Sequence, residues 1–219
     1  MKKRRGLPLK FVDFVEPVNL IPITGPEPPT SIQIFSLNSI GNGTGSYNRV
    51  GNRVELHHMS AYIDLNWRNV SGAANTPSVH HYVVWDKLGI SPEGIPPLFG
   101  DIFAVTDRLG NTYFTLAPFI RAGLEGRFVV LHYECTNFPG ASANQHSPPP
   151  SQAQSVHQQV NLEVDLTGLV AQYNAPNPDY ASISTGSLLY FCRCSREPGH
   201  VFIQGFEGTS FRTYFSDLQ

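Results

Sequence analysis

The sequence predicts an all-β sandwich or barrel of about eight strands. Its 219 residues include 19 Gly and 18 Pro, with 41 % hydrophobic and only 15 % charged residues, a profile of many turns between short apolar strands. Apolar residues recur with a period of two in segment after segment, and helix-like periodicity is scarce. The longest such segment, residues 46–68, changes phase midway: Val54 and Leu56 lie on one parity, Met59, Ala61, Ile63, Leu65 and Trp67 on the other. One extra residue near His57-His58, a β-bulge, lets a single strand bend and still turn its apolar side inward. A long, bent, half-buried strand belongs in a sandwich or barrel.

Taken in order, residues 1–30 carry the basic run Lys2-Lys3-Arg4-Arg5, a short apolar piece (Phe11, Val12, Phe14, Val15) and then Pro17, Pro22, Pro26, Pro28 and Pro29, and read as an arm that resists regular structure. Residues 31–219 form a single β-domain. A first strand spans 30–38 and closes in the turn-rich Gly41-Asn42-Gly43-Thr44-Gly45. The bulged strand follows. Residues 79–88 hold the bulky run Tyr82-Val83-Val84-Trp85, expected where both faces are covered. Pro92, Gly94, Pro96 and Pro97 forbid a strand, 98–104 form a turn or one short helix, and Leu109-Gly110-Asn111 suggests a hairpin. Strands are expected over 126–136, 156–166, 187–196, 200–206 and 209–215, with an exposed loop over 139–155 that includes Pro148-Pro149-Pro150.

The net charge of -2 means that attraction to nucleic acid must come from a local concentration of charge, and the start of the chain supplies one. The basic run leads into Gly6-Leu7-Pro8-Leu9-Lys10, not into an apolar segment, so neither a secretory signal nor a membrane-inserting stretch is expected. Cys135, Cys192 and Cys194 are odd in number and lack zinc spacing, which predicts free thiols in a reducing compartment. No phosphate-cradling loop, nucleophile elbow, His-Glu-x-x-His or His-x-His occurs, and the acidic residues show no catalytic spacing; no enzyme, metal or cofactor is expected. Adjacent strand residues face opposite ways, so neither His57-His58 nor His80-His81 chelates one ion unaided; pH-sensitive contacts between subunits are the other reading.

Three stretches carry a family resemblance. Tyr47-Asn48-Arg49-Val50-Gly51-Asn52-Arg53-Val54 resembles the arginine-hydrophobe-glycine-x-basic motif before a strand in capsid proteins of small circular single-stranded DNA viruses that encode a replication initiator. The strand Tyr82-Val83-Val84-Trp85-Asp86-Lys87, its Pro/Gly-rich loop and Phe99-Gly100-Asp101-Ile102-Phe103 are similar to geminivirus-like coats. Residues 186–192 and Phe211-Arg212-Thr213-Tyr214-Phe215-Ser216-Asp217 resemble the final strands of the same circovirus/geminivirus-like group. Together the matches run in order over about residues 47–217.

The resemblance implies a single jelly-roll coat protein that assembles with itself into an icosahedral shell, most simply T=1 with about 60 copies, around a circular single-stranded DNA genome. It implies a virion location, with passage through the host nucleus during assembly, and a host cell-surface receptor as a further partner. A soluble carbohydrate- or ligand-binding β-sandwich is the alternative. Nucleic-acid contacts are expected at Lys2, Lys3, Arg4, Arg5 and Lys10, and at Arg49 and Arg53 around the glycine turn, where pairing with a neighbouring subunit or plain solvation are the other readings. One departure matters: the family's long arginine-rich arm is here only four dense residues plus Lys10. About 60 such arms offset only about 300 phosphates, against a genome of order a thousand or more.

Overall fold

The computed structural model describes residues 9–15, 19–20, 33–69, 78–89, 95–114, 116–138, 155–194, 201–205 and 209–218. In chain order the elements are β1 (Lys10–Val15), β2 (Asn19–Leu20), β3 (Gln33–Ser36), β4 (Arg53–Asn69), β5 (Ser78–Asp86), the one-turn α1 (Phe99–Ile102), β6 (Ala104–Thr106), β7 (Thr112–Phe114), β8 (Phe128–Asn137), β9 (Ser155–Tyr173), β10 (Ile183–Thr185), β11 (Ser187–Cys194), β12 (Val201–Gly205) and β13 (Ser210–Asp217). Eight of these strands build two antiparallel sheets, β1-β13-β4-β9 and β3-β11-β5-β8. Numbered along the chain, those orders are 1-8-3-6 and 2-7-4-5, the double Greek key of a jelly roll. Strand β12 with β2 extends the first sheet along β4 beyond β13, and β6-β7 form a separate hairpin.

The phase change in β4 is the bulge. Register against β9 shifts between Leu56 and His58, and β13 shifts in step between Tyr214 and Phe215. Val54 and Leu56 before the bulge, and Met59, Ala61, Ile63 and Leu65 after it, are all buried, so one 17-residue strand keeps a single core face. Strand β9 presents Val160, Leu162, Val164 and Leu166 to the same core. Strand β5 is covered on both sides. Its inner face carries His81 and Val83; beside them on β11, Tyr190 packs against Phe211 of the opposite sheet. Its outer face is roofed by α1, where Tyr82 meets the rings of Phe99 and Phe103 at 5.1 and 4.8 Å.

One strand lies where the sequence reads an arm. Residues 10–15 pair with β13 along their whole length, and β1, not β12, completes the eight. Six residues carry too little periodic signal by themselves. Their partners supply it: Asp13 takes a two-pronged ion pair from Arg212 (2.6 and 2.8 Å), whose guanidinium also lies 4.3 Å over the Phe11 ring. Strand β9 also runs farther than expected, to Tyr173, because β4 continues to pair with it past Gly168. The expected hairpin is β6-β7, and the short helix is α1.

Gly186 turns β10 into β11 with φ +76°, and a Cβ there would meet the Val170 carbonyl at 2.6 Å and the Trp85 ring at 2.7 Å. Gly186→Ala combines left-handed strain with a backbone clash, so a loss of about 2–4 kcal/mol is expected from chemical denaturation.

Candidate nucleic-acid and subunit interface

Lys2, Lys3, Arg4 and Arg5 lie outside the described residues. The other basic residues expected to meet nucleic acid separate into three environments. Lys10 is largely buried and pins the start of β1 to the end of β13, its Nζ 2.8 Å from Asp217 Oδ2 and donating to the Asn48 carbonyl at 2.9 Å. Asp217 also accepts the Val50 backbone N–H at 2.7 Å, which closes the loop before β4.

Arg49 is 0 % exposed. Its Nε donates to the Ile40 carbonyl at 3.0 Å, its two terminal nitrogens donate to the carbonyls of Gly51 and Ala175, and its guanidinium sits 4.2 Å from the Tyr173 ring centre. A planar fork with fixed donors suits such a nest of carbonyls, and a side chain so enclosed cannot reach a phosphate. The structure therefore gives Arg49 the role of a clip joining three loops, in place of a nucleic-acid contact. Gly51 at φ +93° makes the adjoining turn. Arg53, at the mouth of β4, is exposed.

The histidine pairs part as strand geometry requires. His80 lies on the outer face, with Nδ1 2.9 Å from the Tyr133 hydroxyl and Nε2 3.0 Å from Ser78 Oγ. His81 is fully enclosed, with Nδ1 2.7 Å from the Tyr190 hydroxyl and Nε2 3.4 Å from Thr136 Oγ1. Burial, then the charges of His80 and His132, push its pKa down to about 3, so it is neutral near pH 7. Burial raises the Cys192 thiol to about 12, and none of Cys135, Cys192 and Cys194 forms a disulfide. Among the described residues no three His, Cys, Asp or Glu side chains form a group that could hold a metal ion.

The polar parity of the first sheet forms a face of its own. Asp13, Ser60, Tyr62, Asn161, Glu163 and Arg212 line a groove of about 330 Å³ across β1, β13, β4 and β9. His58 and Glu163 pair across β4 and β9. Four carboxylates, Asp13, Asp64, Glu163 and Asp165, share this outward parity with Arg212 as the guanidinium among them. An acidic face repels a phosphate backbone. No signal in the sequence marks the groove, because adjacency of β1, β13, β4 and β9 is a product of chain topology.

The strand order and the two-sided core make this chain a jelly-roll sandwich. No protein-family model matches it, and no curated protein matches it. Among solved structures, similarity is found to one named Desmodium yellow mottle tymovirus, 16 % identical with a TM-score of 0.27, over 100 % of this chain and 95 % of that one. At that score the backbones share little superposable geometry, and the assignment of fold rests on the strand order of this chain.

Proposed function

We propose that this chain is the coat subunit of a small icosahedral virus, self-assembling as about 60 copies around a circular single-stranded DNA genome. The observation that carries the reading is the jelly-roll order of the eight strands, an architecture used by capsid, lectin and cupin domains. The three motif stretches favour the capsid among these, and each has a structural place: Arg49 clips the loops before β4, Phe99 and Phe103 roof β5, and Phe211 to Asp217 form most of β13. In this reading Lys2, Lys3, Arg4, Arg5 and Arg53 contact the enclosed DNA, the basic run also serves nuclear entry during assembly, and the subunit resides in the virion, whose surface meets a host receptor on infection.

Electron microscopy of the purified protein tests it. Uniform particles about 20 nm across are expected, and DNase but not RNase should degrade the extracted contents. A protein that stays monomeric or dimeric across salt and pH overturns the coat reading in favour of a ligand-binding sandwich. RNase-sensitive contents overturn the DNA assignment alone. Deleting residues 2–5 should lower the nucleic-acid content of particles, and unchanged content would remove the arm from packaging.

A further inference from the structure

The excursion between β5 and β8 projects a hairpin whose tip is held in one shape. Asp107 Oδ1 accepts the backbone N–H groups of Leu109 and Asn111 at 2.8 and 2.9 Å, and Oδ2 accepts the Asn111 side-chain amide at 3.0 Å. With its carboxylate engaged in the turn, the outermost groups are Arg108, which is exposed, and Leu109, which is 87 % exposed. An exposed leucine alone is ordinary. One fixed on a preorganised tip beside a cation can dock with little further loss of conformational freedom.

The groove on the outer face of the first sheet has the complementary character. Val15 and Tyr62 leave apolar surface open there, 70 % and 37 % exposed, and Asp13 and Glu163 stand beside them with Asp64 and Asp165 on the same face. Arg212 is already paired with Asp13. Glu163 pairs with His58 at the surface, and Asp64 and Asp165 stand on the same face, so an incoming cation still meets four carboxylates against two resident basic groups.

Tip and groove cannot meet within one chain. The hairpin starts from Phe103, which packs with Phe99 over Tyr82 on the outer face of β5 in the second sheet. The groove opens on the outer face of the first sheet, across β1, β13, β4 and β9.

We propose that the Arg108-Leu109 tip of one copy seats in the groove of the next copy, Leu109 against Tyr62 and Val15, and Arg108 against Glu163. The contact is head-to-tail, the kind that builds rings and closed shells when its rotation closes. It rests on the self-assembly reading above and names the surfaces that assembly uses.

Charge reversal and exchange test it, read as the protein concentration at which light scattering and microscopy first detect particles. Arg108→Glu, Leu109→Asp and Glu163→Arg should each raise that concentration by about tenfold or more. The double variant Arg108→Glu/Glu163→Arg should return to within about threefold of the parent, because the same pair is restored with its signs exchanged. All the altered positions are exposed, and the His58–Glu163 pair lost in Glu163→Arg is a surface pair that contributes little, so the thermal transition of each variant should stay close to the parent's. If the parent assembles and the single variants assemble equally well, or if the double variant is as impaired as its two defects combined, the groove receives something other than this tip and the proposal falls. If the parent never assembles, the coat reading itself falls, and this contact with it.

Discussion

Replacing Arg49 by alanine is expected to destabilise the fold by about 3–5 kcal/mol, seen as a large drop in denaturant midpoint with little change in slope. The guanidinium satisfies the carbonyls of Ile40, Gly51 and Ala175 and covers the Tyr173 ring, so truncation leaves three acceptors without their donor and opens a hole against an aromatic face. Each buried acceptor left unpaired costs about 1–3 kcal/mol, less where water enters. Arg49→Lys should recover only part of the loss, because an ammonium is a point charge and cannot span three divergent carbonyls in one plane. A loss below about 1 kcal/mol would show that solvent replaces the clip and that the loops before β4 hold themselves.

Acid should loosen the sandwich through His81. Its folded-state pKa lies near 3, below the ordinary value of 6.5, so below pH 6.5 the unfolded chain takes up a proton that the folded chain refuses. The stabilising contribution is whole above pH 6.5 and is lost as pH falls toward 3, at up to about 1.4 kcal/mol per pH unit. Between pH 6.5 and 5 most carboxylates have yet to titrate, which makes that window the cleanest. His81→Gln retains a side-chain hydrogen-bonding group for the Tyr190 hydroxyl but takes up no proton. Its stability between pH 6.5 and 5, followed by denaturant titration, should fall less steeply than the parent's by about one proton's worth. Equal slopes would assign the acid sensitivity to other groups.

The two predictions expose different kinds of information in the chain. His81 was legible as half of an adjacent pair that must face both sides of a strand. Its neutrality was not, because burial comes from Tyr190 on the neighbouring strand β11, itself packed against Phe211 of the opposite sheet, both more than a hundred residues away along the chain. Arg49 was legible as a residue beside a glycine turn. A sequence cannot show that Ile40 and Ala175 bring their carbonyls to meet it, and the motif in which it sits invited a phosphate in their place.

The sequence by itself determined the all-β character, the bulge at His57-His58, the two-sided burial of β5 and the hairpin about Leu109. All four follow from local sterics and from which side of a period-two pattern is apolar, and such rules act within a few residues. Only the tertiary structure decided that residues 10–15 are a strand, that Arg49 and Lys10 serve the fold, and that three separate strands, β1, β4 and β9, bring carboxylates to one face. The physical reason is that pairing partners, burial and charge density are properties of neighbours in space, and in a jelly roll nearly all of those neighbours are distant in sequence.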